Sequence, residues 1–235
     1  MNLKEIKNKI ETDGYIKINN FLEKKEFNTL KQFVDNKIIT IKNNFFLVDK
    51  SKDNIFADNK SIYYKFLNLF QGLIGQENID TNEKVYRVLR YIRGSQTNEE
   101  SFKFHFDAHN YTILIPIHIP KREKHENGDL LIIPNLRKLH KNLIKNIIQK
   151  IFYQSKIYRK YLMKNLKNKT KRLILEEGNI YIFNGYKSLH GNMNIHQKDQ
   201  RATILLHYHD VIKDSKLIKL NRLIRQKKES KKIKP

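Results

Sequence analysis

Phe102-Lys103-Phe104-His105-Phe106-Asp107 alternates aromatic and polar residues without a break. Successive side chains of a β-strand point to opposite faces, so the three phenylalanines fall on one side and Lys103, His105 and Asp107 on the other. The spacing therefore predicts a strand over 102–107 that presents an imidazole and a carboxylate one pleat apart. A divalent metal of hard-to-borderline character takes both as neighbouring ligands. One more histidine from a distant strand completes the two-histidine, one-carboxylate face that suits non-haem Fe(II). His190 is the candidate: it follows a β-patterned run, Asn179-Ile180-Tyr181-Ile182-Phe183, and a turn at Asn184-Gly185.

Farther on, Arg201-Ala202-Thr203-Ile204-Leu205-Leu206-His207-Tyr208 alternates again, placing Arg201, Thr203, Leu205 and His207 on one face. A guanidinium fork beside a hydroxyl is suited to hold a carboxylate through charge-assisted hydrogen bonds. Each piece has a plainer reading alone. A strand histidine is more often a hydrogen-bonded core residue than a ligand, and an arginine opening a strand usually faces water. The order His-x-Asp, a long gap, His, then Arg-x-Thr, each on a β-pattern, points instead to a metal site beside an anion pocket.

With these motifs the chain resembles the Fe(II)/2-oxoglutarate-dependent oxygenase superfamily, in the group that includes phytanoyl-CoA dioxygenase-like and prolyl hydroxylase-like enzymes. The resemblance spans most of residues 13–209. Asp13-Gly14-Tyr15-Ile16-Lys17-Ile18 is similar to the opening strand of the former, and Arg90-Tyr91-Ile92-Arg93-Gly94 to a stretch of the latter. Asn127-Gly128-Asp129-Leu130 and Gly178-Asn179-Ile180 stand where glycine-led strands begin. The resemblance implies iron ligation by His105, Asp107 and His190. It places the far carboxylate of 2-oxoglutarate on Arg201 with Thr203, and Tyr91 in the wall of that pocket. It implies dioxygen as a second co-substrate, release of succinate and carbon dioxide, and hydroxylation of a substrate C–H bond, since halogenating relatives lack the carboxylate that Asp107 supplies. Phe106, where many relatives carry a polar residue, and an insert at 136–172 depart from the pattern.

The implied fold is a double-stranded β-helix, a cupin-like jelly roll, mainly β with packed helices (α+β). The pattern of the chain agrees: five short β-patterned runs follow residue 85, and helical periodicity dominates before it. Asn20-Phe21-Leu22-Glu23 reads as a capping box opening a helix whose stripe is Phe27, Leu30, Phe33 and Val34. Length and pattern predict a single domain over 1–212, which the resemblance implies is oxygenase-like, with a basic helical insert inside 130–175, and a basic tail over 213–235.

The chain has no cysteine, which excludes disulfides, thiolate metal sites and a cysteine nucleophile. Residues 1–7 have no apolar export core and the longest apolar run, 111–120, is too short to span a bilayer, so a cytoplasmic location is expected, peripheral at a membrane at most. The net charge of +23 is concentrated: residues 130–175 carry thirteen Lys or Arg and no acid, and residues 213–235 carry ten against two. The remainder is nearly balanced, at 24 basic against 22 acidic residues. Within the first segment Leu139, Leu143, Ile144, Ile147, Ile148, Ile151 and Phe152 recur at helical spacing, with Lys138, Lys141, Lys145 and Lys150 mostly off the stripe. Such a stripe ordinarily packs on the protein's own sheet. The excess charge over 137–172 and 213–235 otherwise suits an anionic membrane surface or a nucleic acid.

An anionic small molecule or lipid-linked compound is the substrate class these features favour. Nucleic acid is next, as in AlkB-type enzymes, although those carry a second arginine six residues after the first, where this chain has His207. A protein side chain is third. A catalytically silent basic module on the same fold, or a zinc hydrolase for which Arg201 and Thr203 have no task, are the readings from other classes.

Overall fold

The computed structural model describes residues 2–40, 44–48, 55–56, 59–75, 84–94, 101–122, 126–138 and 143–210. Leu139, Lys141 and the basic tail over 213–235 lie outside them.

The chain opens with α1 (Leu3–Asp13), whose first turn is closed by a capping box between Asn2 and Glu5. Gly14 ends it at φ +80°, a left-handed position where a Cβ would also collide with Pro134. Strand β1 (Tyr15–Ile18) follows, then α2 (Lys24–Thr40), β2 (Phe45–Val48) and α3 (Lys60–Ile74). Helix α2 carries the expected core residues, with Leu30 and Val34 fully buried. It begins later than expected, however. Asn20 sits in a left-handed turn with its N–H donated to Asn179 Oδ1, and Glu26 accepts the N–H of Glu23 instead.

Seven further strands follow: β3 (Tyr86–Arg93), β4 (His109–His118), β5 (Leu130–Ile133), β6 (Lys171–Leu173), β7 (Ile180–Asn184), β8 (Leu189–Asn192) and β9 (Gln200–Asp210). The helices α4 (Leu143–Tyr153), α5 (Lys156–Lys164) and α6 (Leu166–Lys169) lie between β5 and β6. Five patterned runs could not reveal all seven strands, because β6 and β8, at three and four residues, are too short to show alternation.

The strands form two antiparallel sheets, one in the order β1-β7-β4-β9-β3-β2 and one in the order β6-β5-β8. This is the jelly-roll sandwich of an α+β fold. Parity divides the long sheet cleanly. Ile113, Ile182, Ile204 and Tyr91 face α1–α3 and join Ile10, Leu30, Phe66 and Phe70 in one core. On the opposite face Leu114, Tyr181 and Phe183 meet Leu130, Ile132 and Leu173 of the short sheet. The outer face of the short sheet, with Leu131 and Leu189, is covered by Leu162, Tyr153, Tyr158 and Leu166 of the α4–α6 layer.

Two expectations need correction. Residues 102–107 do not form a strand: Phe102 takes φ +54°, and only His105 pairs, in an isolated antiparallel bridge to His190. The alternation nevertheless holds in burial, with Phe104 and Phe106 buried on the outer side and His105 and Asp107 turned inward. The apolar stripe of α4 does not pack on the sheet either. Among the described side chains of that helix Asn146 is buried, while Ile147, Ile148, Ile151 and Phe152 are exposed.

Candidate metal and anion site

The site lies between the two sheets. His105 and His190 are partners across the single bridge, each backbone N–H donating to the other's carbonyl at 2.9 and 3.0 Å. Directly opposed residues share a face, so the two rings approach to 4.4 Å between centroids. Asp107 is fixed by its own N–H, which donates to Gly185 O at 2.9 Å in the turn after β7. Its Oδ1 is 3.8 Å from His105 Nε2 and its Oδ2 is 3.6 Å from His190 Nε2. One ligand atom from each of the three lies within 4.8 Å of the other two.

Hydrogen bonds set the tautomers. His105 Nδ1 is 2.9 Å from the carbonyl of Lys103, and His190 Nδ1 is 3.0 Å from the carbonyl of Ser188. A carbonyl only accepts, so each Nδ1 carries the hydrogen and each Nε2 turns a lone pair toward the shared space. Both histidines use the carbonyl two residues back. This is the outer support that orients an imidazole toward a metal.

The carboxylate has its own support. Thr112 Oγ1 donates to Asp107 Oδ2 at 2.6 Å and lies 3.0 Å from His207 Nδ1. A hydroxyl has one proton, so His207 Nδ1–H must be the donor to it. His207 stacks on His109 at 5.4 Å, and His109 on Tyr86 at 5.6 Å. Gly185 is required beside them, because a Cβ there would collide with Asp107 Oδ2 and Thr112 Oγ1.

Burial alone would raise the Asp107 carboxyl, but His190, His207, His105 and the Thr112 hydroxyl outweigh it and hold the group below the usual carboxylate range. Burial also pushes His207 down, against the pull of Asp107. Loss of hydration and the neighbouring His190 push His105 down as well, although its side chain keeps 40 % exposure. At neutral pH the site thus holds a charged Asp107 carboxylate beside the neutral imidazoles of His105 and His207. A cation needs its ligands in that state.

The second part of the site is a buried cation. Arg201 is 1 % exposed and Thr203 fully buried. Arg201 Nη2 donates to Asn192 Oδ1 at 3.2 Å, whereas Arg201 Nε and Nη1 and Thr203 Oγ1 have no hydrogen-bond partner among the described residues. Asn192 shares a strand face with His190, two residues away, so it lies about 6.6 Å along β8 from that histidine. Burial and the nearby Arg90 push Arg201 down to about 9, with Asp129 opposing. Asp129 is itself buried and held by Arg172 Nη2 at 2.6 Å and by the N–H of Leu175 at 3.1 Å. Buried polar atoms are rarely left unsatisfied, so a guanidinium and a hydroxyl with spare valence side by side form a cradle for a carboxylate.

Tyr91 does not reach this cradle. It opposes Ala202 on the helix-side face of the long sheet, with its hydroxyl donating to Gln200 Oε1 at 2.6 Å. Arg90 occupies the facing position, opposite Thr203, and its charge acts on both Arg201 and His105. Of the six residues singled out from the sequence, His105, Asp107 and His190 converge, and Arg201 and Thr203 lie on the face of β9 that also carries His207. Alternation alone put His207 on the same face but gave it no task. Thr112, Asn192, Arg90 and Gly185 became visible only through register.

These residues fit the groups the motifs suggest. Two imidazole nitrogens and a carboxylate oxygen with no sulfur ligand suit Fe(II), and the orphaned donors of Arg201 and Thr203 suit a carboxylate.

No protein-family model matches the sequence, and no curated protein sequence matches it. Solved structures do share the fold. A prolyl-4-hydroxylase from Pseudomonas putida is 8% identical with a TM-score of 0.52, covering 88% of this chain and 98% of its own. A prolyl hydroxylase from Trichoplax adhaerens, solved with a hypoxia inducible factor peptide fragment, is 14% identical with a TM-score of 0.56, covering 88% and 89%. A non-haem α-ketoglutarate-dependent epimerase from nogalamycin biosynthesis is 11% identical with a TM-score of 0.54, covering 88% and 83%. The chain therefore has the fold of 2-oxoglutarate- and Fe(II)-dependent oxygenases, with a His-Asp-His cluster between its sheets. Among the described residues no helix is long and apolar enough to cross a membrane.

Proposed function

We propose that the protein is a non-haem Fe(II)- and 2-oxoglutarate-dependent dioxygenase that hydroxylates a C–H bond of an anionic small-molecule or lipid-linked substrate. The carrying observation is the pairing of two complementary deficits in one space: a His-Asp-His cluster with lone pairs turned inward, and a buried arginine with unpaired donors beside it.

His105, Asp107 and His190 would hold the ion, and Arg201 with Thr203 the distal carboxylate of the keto-acid. When bound, the ion, keto-acid and dioxygen supply an oxidative decarboxylation to succinate and carbon dioxide and an oxidant for the substrate C–H bond. The chain's own residues do the rest. The carbonyls of Lys103 and Ser188 keep Nδ1 protonated so that neither ligand histidine can flip. Thr112 and His207 hold one carboxylate oxygen in a hydrogen bond and leave Oδ1 of Asp107 for the cation. Asn192 orients the guanidinium, and Arg90 adds positive charge on the same face, which favours anionic occupants. Asp107 fills the position that a halide would need, which favours hydroxylation.

Anaerobic addition of Fe(II) and 2-oxoglutarate is expected to give a visible charge-transfer absorbance, lost in folded His105→Ala and Asp107→Ala proteins, with succinate released on admitting oxygen. Folded wild-type protein that gives neither band nor succinate is not an oxygenase of this kind. Succinate release screened against lipids, nucleotides and peptides then separates the substrate classes.

A further inference from the structure

The layer over the short sheet is built inside out. In α4, Asn146 and Tyr153 face inward while Ile147, Ile148 and Ile151 recur on the opposite side, at 41, 61 and 65 % exposure, with Phe152 at 58 %. Helix α5 continues the surface with Ile157 at 83 % and Tyr161 at 45 %, and buries only Leu162. Around these apolar side chains lie the cations: residues 143–172 hold ten Lys or Arg and no acid. Scattered exposed hydrophobic residues are ordinary, whereas a contiguous stripe flanked by one sign of charge marks an interaction face.

We infer that the outer face of α4 and α5 is a docking surface for an anionic lipid bilayer. Two properties select this occupant. An interfacial helix sinks its apolar side about 5–10 Å into the headgroup and acyl boundary while lysines contact acidic headgroups, and this face offers both. A nucleic acid would use Lys156, Arg159, Lys160 and Lys164 but gives exposed isoleucines no apolar partner. A second copy would cover the isoleucines but bring two acid-free cationic faces together.

The surface is joined to the site by short connections. Arg159 Nη2 donates to Ser101 O at 3.1 Å, and the Tyr153 ring meets Phe106 edge-on at 5.7 Å, one residue from each of His105 and Asp107. A bilayer held on α4 and α5 would thus sit behind the segment that carries two of the three metal ligands. The inference rests on this face alone and stands apart from the oxygenase reading.

Full-length protein, without added metal, is mixed with phosphatidylcholine vesicles that do or do not contain about a third phosphatidylserine, and sedimented. Binding to the anionic vesicles only is expected, weakening as salt rises. Ile148→Gln with Ile151→Gln should weaken it roughly 100-fold, about tenfold per isoleucine. Lys156→Gln with Lys160→Gln should weaken it by about fivefold per charge. All four positions are exposed, so an unchanged melting temperature is expected and certifies the fold. Absence of binding to anionic vesicles overturns the inference. Binding that the two isoleucine substitutions leave intact also overturns it, because charge alone then accounts for capture. RNA binding or dimerisation without vesicle binding assigns the face to the other occupants. None of these results touches the succinate assay, which reports on the site independently.

Discussion

The two ends of the site are built to opposite rules. At the His-Asp-His end the supporting atoms are engaged, while each Nε2 and Asp107 Oδ1 stay open to the shared space: each Nδ1 has a carbonyl, Asp107 Oδ2 has Thr112, and Thr112 has His207. At the anion end Arg201 keeps one hydrogen bond, to Asn192, and Thr203 none among the described residues. The first arrangement is preorganised before any ligand arrives, and its cost is already met within the fold. The second holds a buried charge with two donor atoms unpartnered among the described residues and only Asp129 to offset it electrostatically, a state that folding tolerates if a ligand completes it or the rest of the core carries it.

That contrast can be broken most sharply at Arg201. Arg201→Met fills similar space without charge. It is expected to raise the 2-oxoglutarate concentration for half-saturation about 100-fold while leaving Fe(II) affinity nearly unchanged. The same substitution should stabilise the ligand-free protein by about 1–3 kcal/mol. A ligand-free melting temperature that falls would mean the guanidinium is already satisfied. Thr112→Val tests the opposite end. Removing the hydroxyl frees a carboxylate oxygen and strands His207 Nδ1–H, so Fe(II) affinity should drop about tenfold and ligand-free stability should decline, with 2-oxoglutarate binding measured at saturating metal little altered. The smallest effect is in pH. Because burial holds His207 below its ordinary value, the unfolded chain binds the proton first. Stability of the metal-free protein should therefore fall as pH drops below about 6.5, by at most about 1.4 kcal/mol per pH unit for this group. A His207→Gln protein should show a shallower decline in chemical denaturation across pH 7 to 5; an identical slope would show that His207 is not the group responsible.

Much of the site was legible because strand parity is a robust code. Arg201, Thr203 and His207 share a face as their spacing requires. His105 and Asp107 point the same way even though the strand meant to present them is a single bridge, since extended backbone alternates whether or not it is paired. The same code contradicts the role the resemblance gave Tyr91: one residue from Arg90, it must lie on the other side of the sheet. Thr112, Asn192 and Gly185 escaped because they matter through cross-strand neighbours, and register is a property of two strands rather than one. Helix α4 misled for a different reason. Periodicity says that a stripe will be covered, not by what, and there the covering surface is not the protein's own sheet.

The bridge between His105 and His190 joins points some 85 residues apart in a chain with no cysteine. An ion held by His105, Asp107 and His190 would close that loop as a disulfide would. By chain-entropy reckoning, a cross-link over such a loop removes about 4–5 kcal/mol of freedom from the unfolded ensemble. The metal would then act as a removable staple as well as a reagent, and chelation should shorten the lifetime of the folded chain as well as silence its chemistry.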